Sequence, residues 1–296
     1  MKSRTLQALA LGAAVSVLAG CASTSAPVVA NTPGCLDDVA VNRLLGDYNA
    51  RRPAANLPEN LTMVDANCTR SKLQQRLAGQ AGRLAGYKAG LTNPAVQKRF
   101  NTSAPVWGAL YAPMMLADGA TLDAAFGARP LFEADPLVRV SDARVNQAKT
   151  PEQVLRYIDL VIPAIELPDL MVEAPAKLDG AGVTAINVGA RYFVTGTPIP
   201  VQHTQAFVDS LANMKVLVMG GGADLDTGFG RDVLEHPLNA VVWLAQDLQR
   251  HGKALKKGDL VSVGSFSKLM PPKPGLKVEV QYQGLPENPS VKVNFK

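Results

Sequence analysis

Three carboxylates are the residues of this chain whose types and spacing suit chemistry best. Glu133 and Asp135 stand two apart in a β-rich run, where alternate residues leave the same strand face. Glu166 lies in the apolar segment Leu160-Val161-Ile162-Pro163-Ala164-Ile165-Glu166-Leu167. An ionised carboxylate without a partner there costs several kcal/mol or shifts its pKa upward. A hard divalent cation such as Mg²⁺ or Mn²⁺ takes oxygen ligands and keeps open positions, so the three together would hold one and leave room for a substrate. The residues alone leave a second reading open, in which Glu133 and Asp135 are solvated strand charges and Glu166 pairs with an arginine.

Other chemistries find little support. Gly220-Gly221-Gly222 follows one β-like run and precedes Ala223-Asp224-Leu225, the pattern of a hairpin turn more than of a phosphate cradle. The three histidines fall at 203, 236 and 251 with no Gly-x-Ser-x-Gly elbow and no zinc-ligand spacing. The net charge of +5 is dispersed along the chain, which argues against a nucleic-acid surface built from clustered Lys and Arg.

The elements that must position the carboxylates read as helices first and strands afterwards. Periodicity predicts helices over Asp37–Arg51 and Ser71–Tyr87, the second with Leu73, Leu77 and Leu84 on one side and capping residues in 67–71. Short β-rich runs follow at Leu131–Val140, Leu160–Leu167, Val183–Val188, Lys215–Met219, Leu260–Val263, Lys277–Tyr282 and Val291–Phe295. One further helix is predicted over His236–His251, with Leu238, Val241, Val242, Ala245 and Leu248 inward and Gly252 past its end. Few helices are available to cover parallel crossovers, so the expected class is α+β, a mainly β body with a rolled or closed mixed sheet behind an N-terminal helical region.

A set of ordered segments resembles a known family. Gly86-Tyr87-Lys88-Ala89-Gly90-Leu91-Thr92 and Pro105-Val106-Trp107-Gly108 are similar to the opening signature of the 2-keto-4-pentenoate hydratases and 4-oxalocrotonate decarboxylases of the fumarylacetoacetate hydrolase superfamily. The likeness continues through Glu133-Ala134-Asp135, Ile162-Pro163-Ala164-Ile165-Glu166, His236 to Ala245, Gly258-Asp259-Leu260 and Gly264-Ser265. The resemblance implies a fumarylacetoacetate hydrolase-like β-roll or barrel. It implies Mg²⁺ or Mn²⁺ on Glu133, Asp135 and Glu166, and Lys88 as a catalytic group beside a small 2-keto or 2-hydroxydienoate acid. Ser265 is carried over as a substrate contact.

Three positions depart from that family's pattern. Asp135 is one methylene shorter than the usual Glu, and Pro136 beside it removes a ladder donor. Val106 stands where hydratases often carry an acid assigned to proton transfer. Asn187-Val188-Gly189-Ala190-Arg191 replaces a serine-containing segment, which leaves Asn187 as a candidate substrate contact and Arg191 as either a carboxylate clamp or a core-edge ion pair.

The amino terminus is read as a targeting segment and set apart from the fold. Lys2 and Arg4 precede an apolar run over Leu6–Leu18, and Leu18-Ala19-Gly20-Cys21 is a lipobox; the run is shorter than the roughly 20 residues of a membrane span. The expected organisation is a lipoprotein signal peptide over 1–20, a flexible tether over 21–34 with lipid on Cys21, and one folded domain over 35–296. The expected location is the periplasmic face of the bacterial envelope, on the outer membrane. Cys35 and Cys68 remain as a pair, expected to form a disulfide in an oxidising compartment, with two free thiols as the alternative. Two functions stay open: a metal-dependent lyase on a small 2-keto acid, or a lipoprotein that binds metal and acid without turnover. A homo-oligomer is compatible with both. A carbon–carbon bond hydrolase fits less well, because no histidine precedes His203.

Overall fold

The computed structural model describes residues 32–296. The predicted signal peptide, Cys21 and most of the predicted tether lie outside them. Among the described residues no helix is long and apolar enough to cross a membrane.

The front end is helical because its caps are in place. Asp37 accepts the amide of Ala40 and opens the helix Asp38–Ala50, which Arg51 ends in the left-handed conformation. The second helix, Met63–Ala81, starts well before the predicted Ser71. Thr62 supplies its cap by accepting the Asp65 amide at 3.2 Å, and Gly82, at φ 72°, ends it. Leu84 to Tyr87, predicted as its last turn, instead enters the strand Leu84–Gly90. A disulfide joins Cys35 to Cys68 with Cα atoms 5.7 Å apart, and Gly34 donates to Asp65 on the same helix at 3.1 Å.

Three open mixed sheets make the body, and among the described residues none closes into a barrel. The six-stranded sheet runs in the order Ile199–Pro200, Ile158–Ile162, Leu137–Val140, Leu260–Ser262, Leu84–Gly90, Val106–Tyr111. Its Leu84–Gly90 and Leu260–Ser262 strands pair in parallel, with Lys88 opposite Ser262. The four-stranded sheet orders Met115–Ala117, Tyr192–Thr195, Ala164–Leu167, Glu133–Ala134. The five-stranded sheet orders Ala223–Phe229, Lys215–Gly220, Lys277–Gln283, Ser290–Phe295, Ala120–Leu122. In it Lys277–Gln283 alternates inward Val278, Val280 and Tyr282 with wetter neighbours, as its sequence alternation requires. Gly221 and Gly222 form the hairpin turn between Lys215–Gly220 and Ala223–Phe229.

Two differences from the sequence reading shape the site. The predicted strand Val183–Val188 is the helix Gly180–Ala185, because Asp179 caps it through the Gly182 amide at 2.8 Å and small residues let it pack against Met63–Ala81. Asn187 and Val188 follow with φ of 55° and 56°, and this turn exposes the Val188 carbonyl to Lys88. The predicted run Leu131–Val140 is two strands in two different sheets, broken at Asp135 and Pro136. The helix Pro237–Arg250 forms as predicted. His236 caps it by accepting the Leu238 amide at 3.0 Å, and Leu238, Val241, Leu244, Ala245 and Leu248 are fully buried.

Candidate metal centre

Sheet register brings the carboxylates together. Glu133 lies directly opposite Glu166 in the antiparallel pair Glu133–Ala134 with Ala164–Leu167, so their side chains leave one face as cross-strand neighbours. Asp135 joins them because the chain changes sheets there. Its amide still donates to Ala164 at 3.3 Å, Pro136 has no amide to continue the ladder, and Leu137 begins pairing in the six-stranded sheet. One carboxylate oxygen from each of Glu133, Asp135 and Glu166 lies within 4.8 Å of the others. All three residues are buried, Glu166 completely.

The cluster holds more negative charge than its surroundings compensate. Lys88 is buried, donates to Oε1 of Glu166, and also donates to the Val188 carbonyl at 3.1 Å. Among the described residues no arginine pairs with Glu166. Asp135 accepts from the Ser262 hydroxyl at 2.6 Å and from the Gly264 amide at 3.1 Å. Gly264 suits that place: its φ is 106°, and a Cβ there would lie 1.8 Å from Thr92 Oγ1. Burial, followed by the charge of Glu166, pushes the Glu133 carboxyl up to about 8. The same two causes hold Asp135 well above the usual carboxylate range. Oε2 of Glu166 is buried with no hydrogen-bond partner among the described residues.

Hard oxygen donors, one unsatisfied carboxylate oxygen and one ammonium among three acids are the features of a divalent cation site. Replacing protons by a cation would remove the repulsion that raises Glu133 and Asp135.

A cavity of about 130 Å³ opens onto this cluster, with Lys88, Glu133, Asp135, Glu166 and Ser265 in its wall. The Ser265 hydroxyl donates to the Ser267 carbonyl at 2.6 Å. Two predicted substrate contacts lie elsewhere. The Asn187 amide bridges the backbone of Ala109, at 2.8 Å to N and 3.0 Å to O, and accepts from Gln74 at 2.9 Å; it joins elements and is not in the wall of this cavity. Arg191 binds Asp169 and the Tyr48 carbonyl, each at 3.1 Å, with its guanidinium 4.3 Å from the Tyr48 ring centroid. Of its two readings the structure gives the ion pair. Val106 is buried and brings no acid to the neighbourhood of Gly90 and Val188.

Sequence reasoning passed over Ser262, which holds Asp135, and Thr92, a lining residue whose buried hydroxyl has no hydrogen-bond partner among the described residues. Thr92 sits inside the Lys88 signature, so its position was the available signal. Arg70 gave none: it is buried under Trp107, 3.4 Å from the ring centroid, and donates to the Trp107 carbonyl at 3.0 Å. The Trp107 indole in turn donates to Asp247 at 2.9 Å, which ties the strand behind Lys88 to the helix Pro237–Arg250.

No protein-family model matches the chain, but individual proteins do. It is 29% identical over 250 residues to a 2-keto-4-pentenoate hydratase of Paraburkholderia xenovorans (strain LB400), covering 83% of this chain and 91% of that protein. It is 30% identical over 203 residues to 2-keto-4-pentenoate hydratase 1 of Dechloromonas aromatica (strain RCB), covering 69% and 75%. The 4-oxalocrotonate decarboxylase from Pseudomonas putida G7, solved with magnesium and adipate, superposes with a TM-score of 0.77 at 24% identity over 87% of this chain and 96% of that one. The chain belongs to the family of the 2-keto-4-pentenoate hydratases, a membership that its likeness to 4-oxalocrotonate decarboxylases accompanies.

Proposed function

We propose that this protein is a divalent-cation-dependent lyase acting on a small 2-keto acid, attached to the cell envelope by lipid on Cys21 after removal of residues 1–20. The observation that carries the chemistry is the buried, unpartnered Oε2 of Glu166 beside Glu133, Asp135 and Lys88. Glu133, Asp135 and Glu166 would hold Mg²⁺ or Mn²⁺. When bound, such a cation supplies Lewis-acid charge to the carboxylate and C2 oxygen of a 2-keto acid, where negative charge develops as C3 exchanges a proton.

The chain's own residues do the rest. Lys88 keeps a buried ammonium at the cavity wall, where it favours an anionic oxygen and carries a transferable proton. Ser262 and the Gly264 amide fix the Asp135 carboxylate, so that ligand needs no reorganisation. Apolar side chains along the cavity wall lower the local polarity and strengthen each charge interaction beside them.

A second reading, binding without turnover, is favoured by Val106, which cannot transfer a proton. Solvent deuterium exchange separates the two. With Mg²⁺ or Mn²⁺ present, NMR should show the C3 protons of a bound 2-keto acid exchanging, and Lys88→Ala should slow that exchange strongly. Acid binding with no exchange above the rate of free cation in solution would discard the lyase and leave the binding protein.

A further inference from the structure

We propose that the acid taken by this site carries a second carboxylate and that Arg99, at the rim of the cavity, reads it. The inference rests on the 2-keto-acid reading above and specifies the far end of the molecule.

The cavity is chemically divided. Its floor holds the buried carboxylates and Lys88. Leu91, Val96, Phe100, Leu170, Val183 and Leu269 line its walls, and they offer nothing to a charged tail. The two basic side chains in its lining besides Lys88, Arg99 and Lys268, are exposed, which puts them at the open end. Lys268 is already engaged: its ammonium lies 3.5 Å from Asp226, and its amide donates to the same carboxylate at 2.7 Å. Arg99 pairs with no carboxylate among the described residues. Its guanidinium carbon lies 5.6 Å from the centroid of the Phe100 ring, and that ring forms part of the wall.

A guanidinium at the end of an apolar wall distinguishes tails by charge. A methyl end gains only wall contact, whereas a carboxylate reaching the rim accepts charge-assisted hydrogen bonds in the forked geometry guanidinium favours. Thr92 is also in the lining and has a buried hydroxyl without a hydrogen-bond partner among the described residues, which adds a polar group beside the apolar wall. The site therefore fits a molecule polar at both ends and apolar between: a 2-oxo dicarboxylic acid of short chain.

The test uses matched pairs that differ only in a terminal methyl or carboxylate: 2-oxopentanoate against 2-oxopentanedioate, and 2-oxohexanoate against 2-oxohexanedioate. Calorimetry on the folded chain with Mn²⁺ bound should give the diacid the higher affinity in at least one pair, by about tenfold, the size of one charge-assisted hydrogen bond. That preference should collapse in Arg99→Gln and return in part in Arg99→Lys. Because the readout is a ratio, general damage to the fold cannot mimic it. Equal affinities in both pairs would overturn the inference and leave the 2-keto-acid reading standing, as would a preference that survives Arg99→Gln and falls in Lys268→Gln. If Mn²⁺ binds and no 2-oxo acid of either kind does, the 2-keto-acid reading falls first and this inference with it.

Discussion

The Lys88 ammonium donates to Oε1 of Glu166 and leaves Oε2 of the same carboxylate without a hydrogen-bond partner among the described residues. Oε1 of the group meets a cation from within the protein, while the same carboxylate stands beside those of Glu133 and Asp135. Glu166 is thus both the ion-pair partner of a buried lysine and, in the proposed site, a ligand with an open oxygen. Substitutions there separate the two roles. Glu166→Gln keeps a hydrogen-bond acceptor for Lys88 and removes the charge, so the protein should fold while Mn²⁺ affinity falls about a hundredfold or more, beyond the loss of an outer hydrogen bond. Glu166→Ala strands the ammonium and should also cost about 3–5 kcal/mol of stability. Calorimetric titration and thermal melts check both, and unchanged Mn²⁺ binding in Glu166→Gln would remove Glu166 from the ligand set.

Ser262 offers a milder perturbation, since it touches Asp135 and stands outside the lining of the cavity above the carboxylates. Ser262→Ala leaves Asp135 with the Gly264 amide alone and should weaken Mn²⁺ binding about tenfold, the usual range for losing such a supporting bond. An affinity equal to wild type would mean that the hydroxyl orients nothing.

The metal-free protein should lose stability as pH rises. Glu133 titrates at about 8 in the folded chain against an ordinary value of 4.5, so between those values the folded state holds a proton that the unfolded chain has released. The stabilisation is complete below about pH 4.5 and is lost as pH rises through about 8. Asp135 adds to the same trend. Saturating Mn²⁺ should reverse the slope, because the cation competes with those protons. Melting curves at several pH values in chelator and in Mn²⁺ decide this; a metal-free melting temperature that climbs across the window would contradict the buried cluster.

Reduction should loosen the front end. The disulfide spans a sequence separation of 33, and on the chain-entropy account a loop of that size contributes about 3–4 kcal/mol. Thermal unfolding with and without reductant measures the difference. Free reaction of Cys35 and Cys68 with an alkylating agent in unreduced, denatured protein would show that the bond does not form.

The proposed lipid on Cys21 is tested by mass spectrometry of the mature protein recovered from the membrane fraction of expressing bacterial cells. The wild type should begin at an acylated Cys21, and Cys21→Ser should remain unprocessed and lose its anchoring. An unacylated amino terminus on the wild type would leave the envelope location without support.

What the sequence by itself determined is what short-range physics controls. The apolar stripe from Leu238 to Leu248 required the helix Pro237–Arg250, and strict alternation required the strand Lys277–Gln283. A glutamate inside the apolar run before Leu167 required some compensating partner. Caps within reach of one another also act locally, so Thr62 and Asp179 were legible in principle, yet propensity alone misread both neighbourhoods. Tertiary structure decided the rest, because a buried polar group takes its meaning from whatever long-range packing sets against it. Register placed Glu133 opposite Glu166, and a change of sheets at Pro136 turned Asp135 to meet them. Asn187 found Ala109 across a sequence separation of 78, and Arg191 found Asp169 and Tyr48, so two residues read as substrate contacts became internal ties. No local pattern encodes those partners: the free energy that selects them comes from desolvating each group in a core assembled from distant strands.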